Sequence, residues 1–323
     1  MHPSIKNFCM KFFQNFKKYG YIITMGNVKT EEGNMAIYHL HCSFVSRSSG
    51  RTSVQSVAYI CGEKLHEDYR NKIVNFTKRA DDVACHKTLV PANCKYGGLN
   101  VLDIWNEIEN FENRYADRFF KKEMARERFK KTAQTAQMFV VALPNELSIE
   151  MNEELVERFV KMRFLARNLV ATYAIHENNG SLLRNSRNLH AHIQVSRRAI
   201  AENGDFKKCK DREICTRAAL LRTRKLWADL VNEILAREGF LARISEKSFE
   251  ELGIDLEASK HRGWYADVMG VRSRIVRENL EVVGNNERRR HARSCGGGRR
   301  CGDWRSGRSG EDAGAEGGMR QRG

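Results

Sequence analysis

No stretch of the 323 residues approaches the about 20 consecutive apolar side chains that a membrane-crossing helix needs, so membrane insertion is not expected. The nine cysteines contain no paired C-x-x-C spacing and their number is odd. A disulfide framework or a structural zinc domain is therefore a poor reading, and reduced thiols in a cytosolic protein are the simplest one. There is no internal repeat. Near the start, "KNFCMKFFQNFKKYGYIITM" has basic flanks, but lysines interrupt its apolar part and no small-residue cleavage site follows, which makes it a poor secretory leader. Acidic charge is also scarce. Forty Asp and Glu face 56 Lys and Arg, for a net +16 and a pI near 9.6. A balance this basic points to a polyanionic partner, most often nucleic acid or an anionic membrane surface.

What is present divides the chain into three. Residues 1–34 read as an extension outside the folded domain, which we expect to start at Met35. Residues 35–275 carry the periodic patterns. Residues 276–323 end in "RRRHARSCGGGRRCGDWRSGRSGEDAGAEGGMRQRG", too rich in Gly and Arg to build a core, and are expected to be a disordered basic tail. Within the central part, 36–46 alternates like a strand. A helix capped by Ser53 is expected to run to about Glu67, and 69–100 reads as irregular. Charged helices follow at 103–118 and 120–134, then a strand at 137–144 stopped by Pro144. Next comes a helix with Leu155, Phe159 and Met162 on its apolar stripe. Strands at 169–177 and 188–197, joined by a polar loop, can form an antiparallel hairpin. A basic helix from about Asp211 to Glu238 ends at Gly239. The class is α+β: a largely antiparallel sheet covered by helices on one side.

The chemistry concentrates in "NLHAHIQV", residues 188–195. Strand side chains alternate, so Leu189, Ala191, Ile193 and Val195 share one face, and His190, His192 and Gln194 share the other. His176 ends the neighbouring strand, within cross-strand reach. Three neutral imidazoles with open positions left over make a catalytic rather than a structural metal pattern. A chance pair is the competing reading, because ten histidines readily produce one H-x-H and a second occurs at His39 and His41. Tyr59 lies on the first helix. On spacing alone it is an ordinary core tyrosine, one of nine. Chemically, a tyrosine can attack a phosphodiester and form a covalent link to DNA, with a nearby metal ion polarising the phosphate. The Arg- and Lys-rich segments 211–238 and 243–274 read together as a groove tracking phosphates.

Four stretches taken in order carry a resemblance. "MAIYHLHCSFVSRSSGRTSVQSVAYICGEKLHED", "VVALPNELS", "AIHENNGSLLRNSRNLHAHIQVSRR" and "ARISEKSFEELGIDLEASKHRGWYADVMG" resemble the successive motifs of the MobA/MobL-type plasmid mobilisation relaxases over about residues 35–275. The resemblance implies the HUH endonuclease fold, a ferredoxin-like antiparallel sheet with the histidine pair on a central strand. It implies a relaxase that nicks one strand at a plasmid transfer origin through a 5′-phosphotyrosine link, for conjugation. Carried over by position, Tyr59 matches the nucleophile, His176, His190 and His192 match the metal ligands, and His39 matches a first-strand histidine in a supporting role. The implied ion is Mg²⁺ or Mn²⁺, although three imidazoles alone would also accept Zn²⁺. The implied partners are origin-of-transfer DNA (hairpin and single strand), relaxosome accessory proteins and a type IV coupling protein, in a bacterial cytoplasm. The sequence also departs from the family pattern. Met138 and Val140, preceded by Gln137, stand where the family commonly has acids before A-L-P. Leu189 replaces the Pro of N-P-H-A-H, Glu246 replaces a histidine, and the 176–190 loop is long. Two alternatives stay open: an origin-binding protein with weakened or lost catalysis, and an HUH-type replication initiator.

Overall fold

The computed structural model describes residues 28–30, 33–35, 38–97, 100, 102–179, 187–257 and 269–295. A short pair, β1 (Val28–Thr30) and β2 (Gly33–Met35), spans the boundary drawn at Met35. The main sheet contains β3 (Leu40–Ser46), β6 (Val83–Leu89), β7 (Gln134–Ala142), β8 (Leu169–Asn179) and β9 (Arg187–Ala199), in the spatial order β3-β7-β9-β8-β6. Every neighbouring pair is antiparallel. The H-x-H strand is thus the middle strand of an antiparallel α+β sheet, as expected.

The expected one-sided helix cover is corrected, because helices pack on both faces. On one, Leu189, Ala191, Ile193 and Val195 of β9 meet Leu155, Val156, Phe159 and Val160 of α4 (Ile149–Arg163) and Trp227, Val231 and Ile234 of α5 (Arg217–Arg237). On the other, Ala136, Met138 and Ala174 meet α1 (Ser53–Cys61) and α2 (Ile104–Phe119) through Val54, Val57, Ile60 and Trp105. The middle strands alternate between two apolar sets, so both faces need cover. α3 (Glu123–Thr132) follows α2, and α6 (Arg274–Cys295) closes the described chain.

Several local expectations are also corrected. The cap of α1 is Thr52, whose side chain accepts from the Gln55 N–H at 3.2 Å. The helix stops at Cys61 because Gly62 adopts φ +68°, and a Cβ there would lie 2.8 Å from the Ala80 Cα. Residues expected to continue the helix form a hairpin instead, β4 (Lys64–Glu67) with β5 (Lys72–Asn75). The irregular region holds the edge strand β6. Met162 is 51% exposed, so the stripe of α4 runs through Val156 and Val160. Residues 276–295, grouped with the tail on composition, are helical, while 296–323 and the 180–186 loop lie outside the described residues.

A buried charge layer fixes α1 to α2. The Arg47 Nε donates to Glu109 Oε2 at 2.7 Å, and the Ser53 N–H and Oγ–H both donate to Glu109 Oε1 at 2.6 Å. The carboxylate therefore satisfies an otherwise unpaired N–H at the start of α1. Arg47 and Glu109 side chains are 1% and 0% exposed. Removing one partner leaves a buried charge alone. We predict that Glu109→Ala lowers the unfolding free energy by about 3–5 kcal/mol in urea titrations. By contrast, Glu107→Ala, which removes a half-exposed pair with Arg114, should cost less than about 1 kcal/mol.

Candidate metal centre

The register of the central hairpin places three imidazoles together. His176 of β8 is the Cα partner of His190 on β9, and His192 is paired with Ala174 one step along the same face. The ring centroids lie 5.4 Å (His176–His190), 4.7 Å (His176–His192) and 5.1 Å (His190–His192) apart. One nitrogen from each ring falls within 4.8 Å of the other two.

Hydrogen bonds define which nitrogens those are. The His176 Nε2–H donates to the Ile60 carbonyl at 2.6 Å, and the His190 Nδ1–H donates to the Asn188 carbonyl at 2.9 Å. A carbonyl can only accept, so each ring is fixed in one neutral tautomer, with the lone pair on its other nitrogen. That is the arrangement in which backbone acceptors orient metal-binding histidines. The Nδ1 atoms of His176 and His192 are buried without a hydrogen-bond partner among the described residues. Buried lone pairs left unmatched cost about 1–3 kcal/mol each, and a cation would satisfy them together. Burial, with the Arg79 charge adding to it, pushes His176 down to about 4 and depresses His190 and His192, the latter well below the ordinary imidazole value. At neutral pH all three offer lone pairs rather than protons. The donor set fits a divalent ion.

Tyr59 occupies the last turn of α1, directly before the Ile60 whose carbonyl holds His176. It is half-buried, unlike Val57, Ala58 and Ile60 around it. The Phe76 ring meets it edge-on at 5.4 Å, and the Arg79 guanidinium lies over its face, 4.0 Å from the centroid. Arg79 also pairs with Asp82 at 3.5 Å. Sequence reasoning missed Arg79. It lies in the region read as irregular, and only the close packing permitted at Gly62 brings that segment against α1.

β3 does not neighbour the H-x-H strand, because β7 lies between them. The His39 carbonyl accepts from the Ala142 N–H at 3.1 Å, and Ala142 is paired with His190. His39 thus stands in the same cross-sheet row as His190 and His176, two strands or about 10 Å from His190. His41, read as incidental, stands in the row of Val140 and His192. Where the family commonly has acids, Val140 sits beside His192, and Met138 is buried in the core. Gln137 faces the opposite side and donates to Cys42 Sγ at 2.7 Å. The basic helix α5 packs across the sheet from the imidazoles, with Arg237 and Lys225 engaged by Glu154 and Asp229. It does not line the candidate site. No described helix is long and apolar enough to cross a membrane.

Comparison with known proteins places the chain among proteins of conjugal transfer and mobilisation. The chain is 31% identical over 288 residues to the conjugal transfer protein TraA of Rhizobium radiobacter, covering 79% of this chain and 24% of that protein. It is 25% identical over 284 residues to the mobilization protein MobL of Acidithiobacillus ferridurans, covering 80% and 67%. It is 26% identical over 297 residues to a probable mobilization protein MobA of Bifidobacterium longum, covering 78% and 48%. The chain spans about a quarter of the length of the TraA relatives. A solved structure described as "Molecular Basis of Vancomycin Resistance Transfer in Staphylococcus aureus" shares the fold, with a TM-score of 0.55 at 23% identity, over 66% of this chain and 100% of that one. The model of the MobA/MobL family matches residues 51–272, more than half of the chain, and the protein belongs to that family.

Proposed function

We propose that this chain is a DNA relaxase, a transesterase that nicks one strand at a plasmid transfer origin for conjugative mobilisation. The observation that carries the reading is the trio of neutral, desolvated imidazoles, one of which, His176, is hydrogen-bonded to the carbonyl of Ile60, the residue next to Tyr59. In the proposed reaction the Tyr59 Oη attacks the scissile phosphorus. The Oη–P bond forms and the P–O3′ bond breaks. The strand is left with a free 3′-hydroxyl and a 5′ end esterified to the tyrosine. His176, His190 and His192 would hold Mg²⁺ or Mn²⁺, which when bound supplies charge stabilisation at the scissile phosphate. The Arg79 guanidinium over the Tyr59 ring would be placed to meet the developing phosphate charge. The partners in this reading are origin-of-transfer DNA, accessory proteins and a coupling protein, in the cytoplasm.

A second reading has its own observation. Val140 beside His192 puts methyl groups where an acid could move a proton or complete a metal site. This favours an origin-binding protein with weakened catalysis. A nicking assay on supercoiled origin plasmid with Mn²⁺, scored for protein-linked DNA on denaturing gels, separates the two. The relaxase reading expects an adduct from the wild type and none from Tyr59→Phe. It also expects His190→Ala to lower metal affinity by about 10²-fold or more. Tight origin binding with no adduct from the wild type selects the second reading.

For Arg79→Gln, cleavage should slow by about 10²–10³-fold.

The imidazoles also set a stability window. The unfolded chain takes up histidine protons below about pH 6.5, whereas folded His176 stays neutral down to about 4. The metal-free protein should therefore lose up to about 3 kcal/mol through this residue as pH falls from 6.5 towards 4, with no contribution above 6.5. Denaturant titrations of wild type and His176→Gln in a chelator should diverge in that window and run parallel above it.

A further inference from the structure

A second surface lies at the other end of the imidazole-bearing face. Arg198 is six residues along β9 from His192, about 20 Å at strand rise. Its guanidinium pairs with Glu112 of α2 at 2.8 Å and lies 4.4 Å from the Tyr115 ring centroid. From Tyr115 the aromatic rings continue outward. Tyr115 meets Phe119 at 4.7 Å and Phe129 at 5.6 Å, and Phe120 meets Phe129 at 5.0 Å. Phe119, at the outer end, is 44% exposed. A large apolar ring that only closed the α2–α3 corner would be expected to turn inward.

Cations surround these rings. Arg118 and Lys208 each lie 5.6 Å from the Phe119 centroid, and Lys210 lies 5.5 Å from that of Phe129. Residues 118–131 hold seven Lys and Arg against two Glu. Asp117 engages Arg126 and Lys130. Lys121, Lys122, Lys207 and Lys208 are exposed and make no ion pair among the described residues. An exposed ring amid uncompensated ammonium groups matches a single nucleic-acid strand, which offers both an unpaired base face and a phosphate. A duplex hides its base faces, and an anionic bilayer would use the charges without needing the ring.

We propose that the corner formed by the end of α2, the start of α3 and residues 207–210 is a stacking platform for single-stranded DNA. A base would lie on Phe119 and its flanking phosphates would meet Lys121, Lys122 and Lys208. The choice of DNA rests on the relaxase reading; the single-strand geometry rests on the patch. Arg198, where the platform begins, is about 20 Å from His192, so at about 3.4 Å per stacked nucleotide the platform would engage a strand more than about six nucleotides from the imidazoles.

The test is fluorescence anisotropy of a labelled dT20 strand on the full chain, in EDTA so that cleavage plays no part. Phe119→Ala should weaken binding about tenfold. Phe119→Leu keeps the apolar bulk, guards against a folding defect, and should weaken binding nearly as much. The double variant Lys121→Gln/Lys122→Gln should reduce the slope of log affinity against log salt by about 1.4. Binding of dT20 unchanged in all three variants overturns the proposal, as does wild type with no affinity for dT20. Loss confined to a 20-base-pair duplex or to phosphatidylserine vesicles overturns it too. Failure of the relaxase reading shows elsewhere, as a wild type that binds dT20 through this corner yet forms no adduct with Mn²⁺.

Discussion

The antiparallel register of β8 on β9 is the constraint on which the site depends. With His176 opposite His190, all three imidazoles share one face, and Ala191, Ile193, Tyr173 and Ile175 fill the core on the other. Strand side chains alternate with period two. A slip of one residue in β9 would bury the imidazoles among Leu155, Val156 and Phe159 of α4 and turn an apolar row towards α1. The two cores therefore enforce the register that assembles the imidazole cluster. Packing energy on one face specifies chemistry on the other. The cost is local: two bare nitrogens and three neutral rings in a desolvated place, tolerated because the sheet between two cores has no freedom to turn them out.

A second constraint brings α1 over that face. The Glu109 carboxylate takes the Ser53 N–H and hydroxyl and the Arg47 guanidinium, while Gln194 of β9 donates to the Ser53 carbonyl at 2.9 Å. The start of α1 is thus fixed by polar groups and its end by the His176–Ile60 hydrogen bond, with Val54, Val57 and Ile60 packed between them. The "SRSSGR" stretch could be taken for a DNA-contacting basic loop. Arg47, its first arginine, is instead buried and structural, and orients the helix that carries Tyr59. Buried ion pairs rarely add net stability over apolar packing. What this one supplies is direction, since apolar contacts alone would let a nine-residue helix slide or rotate.

Much of this was legible in the residues, for a physical reason. Alternation over 188–197 is a local property, so the strand, its two faces and the imidazole pair could all be read directly. The hairpin partner followed from the polar stretch that joins the two strands with no other element between them. The failures came where local pattern gives way to tertiary contact. Nothing between Lys64 and Asn75 distinguishes a hairpin from the tail of a helix until Gly62 is known to take a left-handed turn against Ala80. β6 is an edge strand with one side open, so its alternation is weak. The two-sided helix cover was missed because Met138, Ala136 and Ala174 look like an ordinary apolar scatter until the register assigns them to one face. Arg79 could not have been found, because its role depends wholly on what folds against it.

That the cluster is made of three imidazoles and no carboxylate bears on what such a centre can do. Three neutral ligands would leave the charge of a divalent ion to be balanced from outside the ligand set, where Asp82 is the acid that acts on His176 and His190. A phosphate oxygen bound to such an ion would add to that balance, so in the proposed reading the centre grips its polyanion. An acid at the position of Val140 would lower that net charge and offer a proton acceptor close to the reaction. Its replacement by methyl groups shifts the balance from proton transfer towards electrostatic grip. Arg79 shifts it the same way, adding positive charge from the Tyr59 side. On this view, grip on the phosphate comes from the bound ion and Arg79 together. A chain that keeps the trio and Arg79 while losing the acids would keep its hold on DNA before it keeps its rate.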